Sequence, residues 1–197
     1  MFWENEESMT KTTKFALFGL IFNVVFGAYY LISGTSSESR WLLMLGAYYI
    51  VLSIIRFCVI STREKHGTAA RFAGAMLIVL SLLLVGIVVL SVVRDRGHKF
   101  HMIVMISIAL YSFTKITLAT LNLIKSRRGR SIKHVTLRNI SFADAFVSIF
   151  ALQRSMLVSF EGMTEGEIQL MNALTGCAVC IIVFLLGLNL VRNKTKI

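Results

Sequence analysis

The sequence predicts an all-α membrane protein with six transmembrane helices arranged as a 3+3 inverted internal repeat. Its composition is 56% hydrophobic with a mean hydropathy of +0.73, which is more apolar than a soluble domain of this length. The apolar residues form six blocks, each close to the ~20 residues that cross a bilayer as a helix. Arginines recur at a spacing of 98 residues, as Arg40, Arg56 and Arg94 and again as Arg138, Arg154 and Arg192.

Six spans follow from these blocks. They are Phe15–Ser33, Trp41–Ser61, Phe72–Val93, His101–Ile124, Asn139–Phe160 and Ile168–Val191. The chain has no proline, so nothing in the sequence forces a break in these helices. We expect a cytoplasmic N-terminal segment over residues 1–13 and one membrane domain over 14–197. Repeat 1 then covers about 14–98 and repeat 2 about 99–197.

The loops predict the orientation. Fourteen Lys and Arg residues fall on the face that carries both termini, and four fall on the opposite face. Because cytoplasmic loops are enriched in Lys and Arg, both termini are predicted to lie in the cytoplasm, with the protein in the cell membrane. The most basic loop, after the fourth span, suits anionic lipid headgroups better than nucleic acid. Its predicted lipid contacts are Lys125, Arg127, Arg128, Arg130 and Lys133.

The repeat predicts a two-fold relation between the halves. Residues 40–94 and 138–192 share nine identities in 55 aligned positions, including all three arginines. In the first span, Asn23 aligns with Lys115 of the fourth. Three helices per unit is an odd number, so the second unit enters the membrane inverted, as in many transporters whose sites lie between their repeats. A chance match of hydrophobic blocks with basic ends is the alternative.

Four charged residues fall inside the predicted spans, where an ionisable side chain is costly and usually marks a partner or a pathway. They are Arg56, Lys115, Asp144 and Arg154. Counting the rise of ~1.5 Å per helical residue puts Asp144 at the depth of Arg56 and within a turn of Lys115, so we expect Asp144 to pair with one of them. The excess of positive charge favours an anionic or acidic solute.

Arg154 is predicted near the outer face, next to Gln153, which we retain as a candidate site residue. Glu161, Glu165 or Glu167 is the expected partner for Arg154, and extension of its side chain to the headgroups is the alternative. A belt of aromatic residues at the outer boundary is expected from Tyr29, Tyr30 and Trp41.

The remaining motifs predict no enzyme. Cys177 and Cys180 have the spacing of a redox pair, but the only other cysteine is Cys58, so a second pair for electron relay is lacking. Cysteine as a small packing residue is the favoured interpretation. The four histidines are scattered, and we expect neither a metal site nor a cofactor.

Two stretches, Leu45–Arg56 and Arg138–Arg154, resemble a family of uncharacterised six-helix membrane proteins from Gram-positive, often gut-dwelling, Firmicutes. That resemblance implies the fold and no activity. From the residues, the first hypothesis is a small transporter or channel for an anionic or polar solute. The alternatives are a non-transporting subunit that binds a membrane partner, a second copy or anionic lipid, and an intramembrane enzyme.

Overall fold

The protein is described by a computed structural model that covers residues 2–62, 68–93, 102–125, 132–159 and 163–192, and all of its regular structure is helical. Its helices are α1 (Phe2–Ser36), α2 (Arg40–Ser61), α3 (Thr68–Val93), α4 (Met102–Lys125), α5 (Ile132–Ser159) and α6 (Glu165–Arg192).

Five of these helices are long and apolar enough to cross a membrane, and they coincide with five of the six predicted spans. They are α1 from Ala16, α2, α3, α5 as far as Val158, and α6. In α4 the side chains are described from Met105 to Leu121, and this stretch is apolar. The crossing of a membrane by all six helices stays a prediction.

Helices α2 and α5 form the centre of the bundle. In the most apolar stretch of each helix, 61% of the residues of α5 and 50% of those of α2 are buried, compared with 28% of those of α1. Helix α1 packs on α2, α4 packs on α5, and α2 and α5 contact each other across the middle. Because Tyr49 contacts Ser148 and Arg56 contacts Ser141, α2 and α5 run antiparallel.

The α3–α6 contact is built on two glycines. A Cβ atom at Gly74 would lie 2.9 Å from the carbonyl oxygen of Gly187, and one at Gly187 would lie 3.0 Å from the carbonyl oxygen of Gly74. The two backbones therefore touch directly, as small residues allow between membrane helices.

Helices α1 and α5 begin well before their predicted spans. Helix α1 begins at Phe2, so the predicted N-terminal segment is helical over its described residues. Helix α5 begins at Ile132, seven residues before the predicted Asn139. There Lys133 Nζ donates to the carbonyl oxygen of Ile60 at 2.7 Å, at the C-terminal end of α2. A cation is favourable at this negative end of a helix.

Helix α6 begins at Glu165 because Thr164 and Glu167 form a capping box. The Thr164 amide and hydroxyl both donate to Glu167 Oε2, at 2.8 and 2.9 Å, and the Glu167 amide lies 3.4 Å from Thr164 Oγ1. These bonds satisfy amides that a helix start otherwise leaves unpaired. This Thr-x-x-Glu signature is present in the sequence, and it marks a helix start three residues before the predicted Ile168.

The outer surface of the bundle is apolar, with large exposed side chains such as Ile32, Leu82, Leu110 and Leu174. The aromatic belt predicted at the outer boundary is wrong for two of its members. Tyr30 is fully buried and Trp41 is only 1% exposed, so neither ring lies at a lipid headgroup. Both rings pack inside the protein instead.

Candidate functional site

A cluster of charged and polar side chains centres on Asp144, in the middle of α5. The carboxylate is 1% exposed. Its Oδ2 accepts from Arg56 Nη2 of α2 at 3.1 Å and from Asn23 Nδ2 of α1 at 3.0 Å. Lys115 Nζ of α4 donates to the same oxygen. The predicted pairing of Asp144 with Arg56 or Lys115 is therefore confirmed, and Asp144 pairs with both.

A second layer of hydrogen bonds orients these groups. The Tyr111 hydroxyl donates to Asn23 Oδ1 at 3.1 Å. Since one end of the Asn23 amide accepts this bond, its NH₂ end is directed at Asp144. Arg56 Nη2 also reaches Ser141 Oγ at 3.4 Å, one turn before Asp144 on α5. We call Asn23, Arg56, Tyr111, Lys115 and Asp144 the Asp144 cluster.

Aromatic rings cover the lysine end of the cluster. Lys115 Nζ lies 4.9 Å from the centre of the Tyr111 ring and 5.5 Å from that of Tyr49. The face of an aromatic ring attracts a cation, most strongly where water is excluded. Phe26 of α1 stacks on Tyr111 at 3.9 Å between ring centres, and the Tyr49 hydroxyl bonds Ser148 Oγ at 3.1 Å. The amine is thus enclosed between a carboxylate and two ring faces.

A glycine on α1 makes room for the arginine. A Cβ atom at Gly19 would lie 1.9 Å from Arg56 Nη1 and 3.1 Å from its Cζ. Any side chain at this position would therefore overlap the guanidinium. The close approach lets Arg56, only 3% exposed, lie flat against α1 while it reaches Asp144.

The cluster has more positive than negative charge. Arg56 and Lys115 face the single carboxylate of Asp144, which leaves one formal positive charge among the described residues. Burying an ion pair costs desolvation energy that the attraction only partly offsets. Two polar atoms in the cluster, Asp144 Oδ1 and Arg56 Nε, are buried and have no hydrogen-bond partner among the described residues.

The second buried arginine lies apart from this cluster, against Trp41. Arg154 of α5 is 1% exposed, and its Cζ lies 4.2 Å from the centre of the Trp41 ring. Extension to the headgroups is therefore wrong, because protein covers the guanidinium. Of the three expected partners, Glu161 lies outside the described residues, Glu165 is exposed in the first turn of α6, and Glu167 bonds Thr164. The pairing of Arg154 with one of these acids stays a prediction. Gln153 is directed elsewhere, with Nε2 at 3.5 Å from the Met171 carbonyl oxygen of α6.

The predicted lipid contacts fall mostly outside the structure. Arg127, Arg128 and Arg130 lie outside the described residues, and Lys125 is the last residue of α4. Lys133 is half-buried with its amine on the end of α2. The lipid contact of all five residues stays a prediction.

The cysteines are free thiols at different depths. Cys177 is exposed on α6 and Cys180 is buried. Cys58 lines a cavity of about 190 Å³ between α2 and α3, together with Val59, Thr62, Thr68, Ala69 and Phe72. Within the described ranges, no three His, Cys, Asp or Glu side chains converge as metal ligands would.

The sequence analysis did not identify Gly19, Asn23, Trp41 or Tyr111 as site residues. Their types carry no signal alone, since glycine and aromatic residues are common in membrane helices. One signal was present in the repeat, which aligns Asn23 with Lys115, and both residues donate to Asp144 Oδ2. The chain matches no protein-family model and no curated protein.

Proposed function

We propose that this protein is a small transporter or channel for an anionic or polar solute in the cell membrane. The observation that carries the proposal is the Asp144 cluster, in which Arg56 and Lys115 share one carboxylate among four helices. Ionisable groups at such positions are costly and most often serve a substrate or ion pathway. The remaining positive charge favours an anion as the ligand.

Arg154 and Trp41 supply a second cationic position on α5. Arg154 is ten residues after Asp144 along the helix, which corresponds to roughly 15 Å at the rise of an α-helix. A guanidinium presents a planar fork that matches a carboxylate or a sulfate. With both termini in the cytoplasm, Arg56 serves as the inner station for the solute and Arg154 as the outer station.

An inverted repeat would relate the two stations, since Arg56 aligns with Arg154. The helix partners support this relation, because α1–α2 and α2–α3 packing in the first half recurs as α4–α5 and α5–α6 packing in the second. Tyr49 and Ser148, which contact each other, are separated by 99 residues, close to the repeat spacing of 98. A two-fold axis in the membrane plane would pass near them.

The α3–α6 contacts support the same relation. Val88 lies against Gly176. The repeat spacing of 98 residues maps Val88 onto residue 186 and Gly176 onto residue 78, so the repeat predicts a contact between residues 78 and 186. Ile78 does lie against the neighbouring Gly187. Rocking of one half against the other would then expose the stations alternately to the two sides.

Flux into proteoliposomes tests the proposal. The purified protein is reconstituted, and uptake of chloride, sulfate and L-glutamate is measured against empty liposomes. Arg154→Ala should abolish uptake of the transported anion, and Arg154→Lys should impair it, because lysine keeps the charge but loses the fork. Arg40→Ala is the matched control, since it removes an exposed arginine at the start of α2 and should leave uptake intact.

Two results would overturn the proposal. The wild-type protein could move none of the three anions, which would favour the non-transporting membrane subunit. Alternatively, Arg154→Ala could transport as fast as Arg40→Ala, and the outer station would then lie elsewhere.

A further inference from the structure

The two oxygens of the Asp144 carboxylate have opposite surroundings. Oδ2 accepts from Arg56, Lys115 and Asn23. Oδ1 is buried, and nothing in the described part of the chain donates to it. A buried acceptor without a donor costs free energy. Because Oδ2 already accepts three hydrogen bonds, Oδ1 is the oxygen of this carboxylate that can take a proton.

We propose that Asp144 binds a proton at Oδ1 and that this protonation releases Lys115 and Arg56 to bind the transported anion. One proton then moves with each anion. The proton comes from water on the side facing the site, an O–H bond forms at Oδ1, and no other covalent bond changes. The inference rests on the proposed transport function and adds its coupling ion.

The charges in the site explain why binding of the proton and binding of the anion depend on each other. When Asp144 is ionised, its carboxylate pairs with both cations, and an incoming anion would be repelled by this adjacent negative charge. Protonation removes the carboxylate charge and leaves two formal positive charges on Arg56 and Lys115. Two anionic groups that share one site favour protonation of one of them. By linkage, the anion and the proton strengthen each other's binding.

Among the described residues around the cluster, Asp144 is the carboxylic acid. The titratable groups that surround it are Arg56, Tyr48 and Tyr49 on α2, and Lys115 and Tyr111 on α4. Helix α1 presents the neutral Asn23. From α5 itself come the hydroxyls of serines 141 and 148. Helix α6 adds the thiol of Cys180, which faces Tyr48. The charged residue of the described part of α3, Arg71, is exposed near the start of that helix.

Proton movement is measured in the same proteoliposomes with a pH-sensitive dye inside and the membrane potential clamped by potassium and valinomycin. The probes are chloride, sulfate and L-glutamate, whose charges do not change between about pH 6 and 8. An inward gradient of the transported probe should acidify the lumen. At proton concentrations far below saturation, uptake should rise about tenfold for each unit by which external pH is lowered, as one-proton linkage requires.

Variants of Asp144 test whether this residue binds the coupled proton. Asp144→Asn should lose lumen acidification and reduce the pH dependence of uptake to less than twofold per unit. Asp144→Glu should restore both effects because it retains an acid. Glu38→Gln makes the matching acid-to-amide change at an exposed residue in the loop between α1 and α2 and should behave like the wild type.

The wild-type measurements alone keep the inference falsifiable if a variant fails to fold. Anion uptake without lumen acidification, or with less than twofold change per pH unit, would overturn proton coupling and leave the transport proposal standing. Uptake of none of the three probes would overturn the transport proposal and this inference together. Acidification that persists in Asp144→Asn would overturn the assignment of the proton to Asp144.

Discussion

Replacement of Gly19 by alanine should destabilise the protein by displacing Arg56. The added Cβ would lie 1.9 Å from Arg56 Nη1, so the guanidinium has to move by roughly 1.5 Å to reach an ordinary contact distance. A shift of that size is large enough to disturb the 3.1 Å bond from Arg56 Nη2 to Asp144, since N–H···O distances stay within about 2.7–3.2 Å. The ion pair and the packing around it are therefore both affected.

The magnitude follows from three effects. Overpacking a well-packed site costs about 1–3 kcal/mol. Complete loss of a buried pair costs about 3–5 kcal/mol, but Lys115 still neutralises Asp144 here, so only part of that loss applies. Alanine in place of glycine in a helix returns about 0.5–1 kcal/mol. The steric and electrostatic losses exceed this gain, and we expect a net loss of about 2 kcal/mol.

Thermal unfolding in detergent measures this loss, which should lower the melting temperature by roughly 4–8 °C for a chain of this size. Gly86→Ala is the matched control, because nothing lies within 4 Å of a Cβ there. That variant should melt at or slightly above the wild type. In an Arg56→Met background the cost of Gly19→Ala should disappear. Two results would contradict this prediction. One is an equal melting temperature for Gly19→Ala and Gly86→Ala, and the other is a loss of stability from Gly19→Ala that persists in the Arg56→Met background.

Two further predictions concern the charge cluster and the orientation. Asp144→Asn should lower stability by about 3–5 kcal/mol at neutral pH, because Arg56 and Lys115 are left buried together. Thermal unfolding beside the exposed control Glu38→Gln checks this, and equal melting temperatures of the two variants contradict it. Single cysteines at Gly162 and Ser131, both outside the described residues, test the orientation in a cysteine-free background. An impermeant thiol reagent outside intact cells should label the first and not the second, and the reverse pattern contradicts cytoplasmic termini.

The sequence predicted the helices well because crossing a bilayer constrains hydrophobic length so strongly. Depth counting along the helices also brought Asp144 to Arg56 and Lys115, since a fixed rise per residue converts position into height. Height says nothing about rotation around the helix axis. Trp41 was therefore expected in an aromatic belt, and Arg154 was expected near acids of the outer loop or at the headgroups, although the two side chains pack against each other inside the protein.

Some site residues were not predictable from one sequence. Asn23 and Tyr111 enter the cluster through packing between α1 and α4, two helices that are not consecutive in the chain. Gly19 contributes by having no side chain, so its role appears only once Arg56 is placed against it. The start of α6 was different, because Thr164 and Glu167 carry a readable capping signature.

The contact between α3 and α6 has a consequence for how the protein can open. It is made by glycine backbones and apolar side chains, so its strength should change little with pH, salt or bound solute. The α2–α5 contact instead depends on Arg56 and Asp144 and should weaken whenever that carboxylate loses its charge. We expect the α3–α6 side to act as a hinge that stays closed while the opposite side of the bundle parts. Ligand chemistry would then set when the protein opens, and the glycine contact would set the axis about which it turns.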